Sequence, residues 1–108
     1  MYFPVSSILI EFLILAIIEK EDSYGYEISQ TIKLTADIKE STLYPILKRL
    51  EKAGYVTTYN QEYRGRRRKY YTITTEGLEQ LKARKGDWQL YIDTINGIIE
   101  GRLRHDTK

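Results

Sequence analysis

Five cations lie within six positions of this chain: Arg64, Arg66, Arg67, Arg68 and Lys69, with Gly65 between the first two. Guanidinium groups match phosphate oxygens with a planar fork of donors, and arginine is favoured in a narrow DNA minor groove. The rest of the 108-residue chain carries 12 basic against 15 acidic residues, so a net charge of +2 conceals one positive spot on a mildly acidic protein. Such a concentration suits a polyanionic partner. A second set of chemically able residues is Ser41, Thr42, Tyr44, Pro45 and Lys48, opposite the apolar positions Leu43, Leu47 and Leu50. On a helix that set presents hydroxyls, a phenol and an ammonium to base edges or phosphates. Each also has a plainer role: Ser41 and Thr42 as helix caps, Tyr44 packed on a hairpin, Lys48 and Arg49 on a solvated face.

Other chemistries lack their parts. With no cysteine, neither disulfides nor thiolate ligands can form, and the one histidine, His105, cannot make a zinc site alone. No nucleophile can be matched with an imidazole base, and no phosphate-cradling glycine motif occurs, so an enzyme is not expected. No cofactor is implied. The apolar run 8–18 contains Glu11 and is shorter than the roughly 20 residues that span a bilayer. Residues 1–7 carry no Lys or Arg, unlike a signal peptide's first segment. Residues 8–18 are therefore expected in a buried helix, and a cytoplasmic location fits the lack of cysteine.

Five elements would position the candidate residues. Ser6 or Ser7 can cap a first helix reaching about Lys20, and Asp22-Ser23 precedes a second helix from Tyr24 to Leu34. A third begins at a Ser41 or Thr42 cap, holds Pro45 in its first turn and ends at Ala53-Gly54. Tyr55-Val56-Thr57-Thr58-Tyr59 and Lys69-Tyr70-Tyr71-Thr72-Ile73 have strand composition and enclose a polar, glycine-containing connection, which predicts a β-hairpin. Thr74 or Thr75 can cap a last helix, in which Leu78, Leu81, Trp88, Ile92, Ile95 and Ile99 follow alternating three- and four-residue steps with Lys85 as the polar member. Gly86, Gly97 and Gly101 each weaken a helix by roughly 1 kcal/mol relative to alanine, so packing must hold this one. The fold class expected is mainly α with a small β-hairpin: a winged helix-turn-helix over residues 1–74, then a dimerisation helix and tail over residues 75–108.

Four motifs, in this order, carry a resemblance: Tyr24-Gly25-Tyr26-Glu27-Ile28; Ser41-Thr42-Leu43-Tyr44-Pro45-Ile46-Leu47-Lys48-Arg49-Leu50-Glu51; Gly54-Tyr55-Val56; and the stretch from Gly65-Arg66-Arg67-Arg68-Lys69 through Gly77. Together they resemble the PadR family of transcriptional regulators, and the short C-terminal segment resembles its smaller subfamily with a single terminal dimer helix. The resemblance implies a homodimeric repressor on an inverted repeat of double-stranded DNA, with residues 41–48 as the recognition helix and residues 64–69 at the wing. It implies dimer contacts at Ile8, Phe12, Leu81, Trp88, Ile92, Ile95 and Ile99. Multidrug-responsive members bind flat aromatic compounds beside a tryptophan of the terminal helix. That places an aromatic or cationic effector at Trp88, the only tryptophan here, with Asp87 and Ile92, and Asp87 and Asp93 would favour a cation by charge; filling the dimer seam is Trp88's ligand-free role. A winged helix used only for protein–protein contact is the alternative, and Lys48, Arg49 and Lys52 argue against the acidic face it would favour.

Overall fold

The computed structural model describes residues 5–106; residues 1–4, part of the segment without basic residues, and residues 107–108 of the tail lie outside it. Helix α1 spans Ser7–Lys20, and its Ser6 cap accepts from the Leu9 amide at 3.2 Å. Apolar residues occupy most of its circumference, so Ile10, Ile14, Leu15 and Ile18 are buried while Phe12, Leu13, Ala16 and Ile17 pack partly against the same core. Strand β1, Ser23–Tyr24, leads directly into α2, Gly25–Ile32. The expected second helix is thus shorter at both ends: Tyr24 holds the cap position without a side-chain cap bond, and Ser23 of the expected Asp22-Ser23 cap lies in the sheet.

Helix α3 spans Glu40–Lys52 and buries Leu43, Ile46, Leu47 and Leu50 on one face. Its start is a correction. The cap position is Lys39, which makes no side-chain cap bond, so Ser41 and Thr42 lie inside the first turn. Pro45 consequently falls in the second turn, where its missing N–H leaves the Ser41 carbonyl without its usual helical donor.

Strands β2, Val56–Tyr63, and β3, Arg66–Ile73, pair antiparallel from Val56↔Ile73 to Tyr63↔Arg66. The short β1 adds to the other edge of β3, giving the order β1-β3-β2. Arg64 and Gly65 alone form the tip, both with positive φ (51° and 76°), as a two-residue type I′ connection requires. Arg66, Arg67 and Arg68 are therefore strand residues and not the loop the composition predicts, and they extend the strand expected from Lys69.

Thr74 caps α4, Thr75–Ile99, by accepting from the Gly77 amide at 3.0 Å while donating to the Gly54 carbonyl at 2.6 Å. A β-carbon on Gly77 would come within 2.1 Å of the Tyr55 carbonyl oxygen, so only glycine lets this helix start so close to the sheet. Leu81 then enters the core formed by α1, α2, α3 and the sheet. Three helices and a wing thus surround one core, as the winged helix-turn-helix expectation holds, and α4 runs out from them. The described residues measure 65 × 32 × 21 Å along their principal axes.

Candidate nucleic-acid interface

The apolar stripe of α3 faces the core, so its opposite side is set by subtraction. Ser41, Thr42, Tyr44, Pro45 and Lys48 are all exposed there, and neither Ser41 nor Thr42 is engaged as the cap. Arg49 is also exposed but reaches back to Glu11 of α1 at 3.0 Å, which ties α3 to α1. Tyr44 does not stand free. Its ring lies over Gly25, where a β-carbon would meet ring and hydroxyl atoms at 2.9 Å. Sequence reasoning left Tyr44 between packing on the hairpin and facing DNA; its ring packs over Gly25 of α2 and still leaves it 46 % exposed.

The pleat of β3 splits the basic run. Successive strand side chains point to opposite faces, so Arg66 and Arg68 share a face with Tyr70, whereas Arg67 and Lys69 share one with the buried Tyr71. Arg64, Arg66 and Arg67 are exposed. Arg68 lies 4.4 Å from the ring centroid of Tyr24 and 5.9 Å from that of Tyr63. Its Nε is buried with no hydrogen-bond partner among the described residues. Lys69 pairs with Glu51 of α3 at 3.7 Å. The six wing candidates thus divide into an exposed end at residues 64–67 and a sheet-bound pair, Arg68 and Lys69.

Tyrosines occupy the outer face around Arg68. Tyr59 stacks on Tyr70 with centroids 5.5 Å apart and planes 12° from parallel, and Tyr24 meets Tyr70 edge-on at 5.4 Å. The Tyr59 hydroxyl donates to Asp22 at 2.7 Å, and this bond to a carboxylate, with desolvation second, pushes its pKa up to about 12. Burial raises Tyr70, helped by Tyr24 and Glu27, and burial raises Tyr71, helped by Glu51 and Tyr44. Tyr24, Tyr26, Tyr59 and Tyr63 were absent from the sequence-based site. Tyr24 in β1 and Tyr59 and Tyr63 in the hairpin are placed by register, which composition does not supply, and Tyr26 lies in the first turn of α2.

The second candidate site lies where the middle of α4 passes the start of α1. A cleft of about 430 Å³ is lined by Val5, Ser6, Ile8, Leu9, Phe12, Arg84, Asp87, Trp88 and Tyr91. Trp88 meets Phe12 at 6.2 Å and Tyr91 at 6.0 Å between centroids. Trp88 and Asp87 therefore line one cleft, whereas Ile92 is not among its walls. Asp87 is already paired with Arg84 at 3.1 Å, which weakens its pull on a cation. Among the expected dimer contacts, Ile8 is 59 % and Ile99 75 % exposed, Trp88 is exposed, and Phe12, Ile92 and Ile95 are half-buried. Leu81 is a correction: at 1 % exposure it belongs to the core of its own chain. Lys85, the polar member of the α4 row, reaches Glu19 of α1 at 3.2 Å. Among the described residues no helix is long and apolar enough to cross a membrane, and no group of acidic or imidazole side chains could hold a metal ion.

Comparison with known proteins agrees with this architecture. Residues 14–83 match the Transcriptional regulator PadR-like family. The crystal structure of smu.1704 from Streptococcus mutans UA159 is 66 % identical, with a TM-score of 0.95 over 98 % of this chain and 100 % of that one. A PadR family transcription regulator from Clostridium difficile R20291 is 36 % identical, with a TM-score of 0.78 over 83 % of this chain and 97 % of its own. A PadR-like transcriptional regulator from Bacillus cereus strain ATCC 14579 is 35 % identical, with a TM-score of 0.79 over 84 % and 91 %. With the motifs of α2, α3 and the wing inside the matched span, the chain belongs to the PadR-like family of transcriptional regulators.

Proposed function

We propose that this protein represses transcription as a homodimer that binds an inverted-repeat operator in double-stranded DNA. The observation that carries the reading is the shared exposure of two sets of side chains on adjoining elements. Ser41, Thr42, Pro45 and Lys48 stand on the free face of α3, and Arg64, Arg66 and Arg67 at the free end of the wing. A helix of this kind reads base edges from the major groove while wing cations neutralise phosphates. A two-fold pair of such helices addresses half-sites about one helical turn, roughly 34 Å, apart. In domain terms, residues 1–74 contact DNA and residues 75–108 join the two copies. The test is selection of bound genomic fragments by the purified protein, then titration of the best fragment against salt. Replacing Arg66 and Arg67 together with alanine is expected to weaken binding to every sequence alike and to flatten the salt slope by about two per subunit. Parent binding that ignores both sequence and salt defeats the proposal.

The α4 cleft supports a regulatory extension of this reading: release of the operator by a flat aromatic compound lodged against Trp88. Phe12, Trp88 and Tyr91 supply aromatic faces, and a second copy would close the open side. Titration with planar aromatic dyes is expected to quench Trp88 fluorescence and to lower operator affinity in parallel. Absence of quenching would leave Trp88 as a packing residue, and quenching without any change in DNA binding would make the cleft a binding site with no hold on the operator.

A further inference from the structure

Between the N-terminus of α2, the exposed side of α3 and strand β3 lies a separate cleft of about 210 Å³. Its walls are Tyr24, Gly25, Tyr26, Tyr44, Arg68, Lys69 and Tyr71. No carboxylate is among them, so every side-chain polar group that borders the space can donate a hydrogen bond. We propose that this cleft seats one backbone phosphodiester of duplex DNA, gripped by Arg68 and Lys69 and by the hydroxyls of Tyr26 and Tyr44. The assignment rests on the DNA-binding reading above and gives that reading a fixed anchoring point.

Arg68 carries the argument. Its guanidinium carbon lies 4.4 Å from the Tyr24 ring centroid and 5.9 Å from that of Tyr63, which restricts the group and shields it from solvent on those sides. Among the described residues it has no ion pair and no hydrogen bond. A pre-oriented fork with unused donors favours a tetrahedral oxyanion, because the ordering that binding requires is already built in. Lys69 adds a second charge from the other face of the strand, held by Glu51 from outside the cleft. The first turn of α2 opens here as well. Tyr24 provides no side-chain cap, so first-turn amides remain without a capping side chain, while Glu27 in the same turn, which accepts from the Ser23 hydroxyl, offsets part of the helix dipole. Gly25 leaves room for Tyr44 to lie across that turn, which brings a residue of α3 into the same cleft.

Position supplies the rest. The cleft joins α3 to the wing, so a duplex meeting both elements would bring its backbone past this point. Tyr44 then serves chiefly as a phosphate ligand, and base reading falls to Ser41, Thr42, Pro45 and Lys48.

The experiment uses the selected genomic duplex with backbone phosphates replaced one at a time by uncharged methylphosphonates. For the parent, one position per half-site is expected to weaken binding sharply. Arg68→Gln and, as a variant at an exposed residue, Tyr26→Phe are expected to lose sensitivity at that position alone. Arg68→Gln should also lower the salt slope by about one per subunit, so its affinity falls about three- to four-fold less per subunit than the parent's between 50 and 200 mM salt. If the parent binds the duplex but both variants keep its full salt slope and methylphosphonate profile, the cleft is not a phosphate seat, while the DNA-binding reading survives. If the parent binds no duplex, both fall together. Competition by inorganic phosphate at constant ionic strength, or by an acidic peptide, without any methylphosphonate effect would assign the cleft to another anion and overturn the proposal.

Discussion

The Tyr59–Asp22 hydrogen bond links the wing to the turn between α1 and β1, and its contribution depends on a proton that stays on the phenol. With the folded pKa pushed up to about 12 from an ordinary value near 10, the folded chain binds that proton more tightly than the unfolded chain. The stability this gives is complete below about pH 10 and is lost as pH rises through about 12. The urea midpoint of Tyr59→Phe should therefore lie below the parent's at pH 8, and the two should converge as pH approaches 12. A gap that stays constant to pH 12 would show that the hydroxyl's proton does not carry the effect, since phenylalanine keeps the ring that stacks on Tyr70. Such pairings lay beyond sequence reading. Ten tyrosines could be counted, yet which of them meet follows from the register that places Tyr59 opposite Tyr70 and Tyr24 beside it. The α3 candidates were easier to read, because burying Leu43, Leu47 and Leu50 dictates which residues remain outside.

At the level of the element, the wing carries its cations on a rigid ladder that ends in a strained turn. Arg64 has a φ of 51°, a conformation that asparagine and glycine tolerate better than arginine. Retaining arginine there is consistent with a use for its charge at the tip. Arg64→Asn should therefore raise stability by a few tenths to about 1 kcal/mol, since Asn-Gly is the preferred pair for this turn. The same change should lower DNA affinity at 100 mM salt and reduce the salt slope by about one per subunit. Thermal unfolding and a salt-dependent titration read the two effects separately, and a loss of stability would contradict the turn assignment. The strands were recognisable only at their inner ends, residues 55–59 and 69–73. Beyond these the hairpin leaves the core and both faces meet solvent, so the alternation that marks a half-buried strand disappears. A similar ambiguity displaced the start of α3, where two good capping residues sit one and two positions inside the helix.

For the whole molecule the decisive feature is the length of α4. Its 25 residues extend about 37 Å, and beyond Leu81 only Gly97 is fully buried, covered by Leu103 where the chain folds back past Gly101. This closure explains two of the three glycines that looked costly in the sequence: Gly97 makes room for Leu103, and Gly101 takes the left-handed conformation that ends the helix. Leu90, Tyr91, Ile98 and Ile99 remain between 60 % and 75 % exposed, which is a large apolar surface for a helix held at one end. On the reading proposed above, a second copy would cover it by self-complementary pairing and hold two α3 helices at one spacing. The heptad row made the helix legible, but Leu81 was assigned to the seam because spacing alone cannot tell the chain's own core from a partner's. Ile99 is the cleaner position to test, since Ile92 and Ile95 are half-buried within their own chain and a charge there would also disturb the fold. Ile99→Asp should leave the monomer's circular dichroism unchanged, shift light scattering from dimer to monomer, and weaken operator binding by about 10²- to 10⁴-fold, the loss expected when two linked half-sites become independent. A parent that scatters as a monomer at micromolar concentration, or a variant that is monomeric yet binds as tightly, would show that the two wings are not held in register by α4.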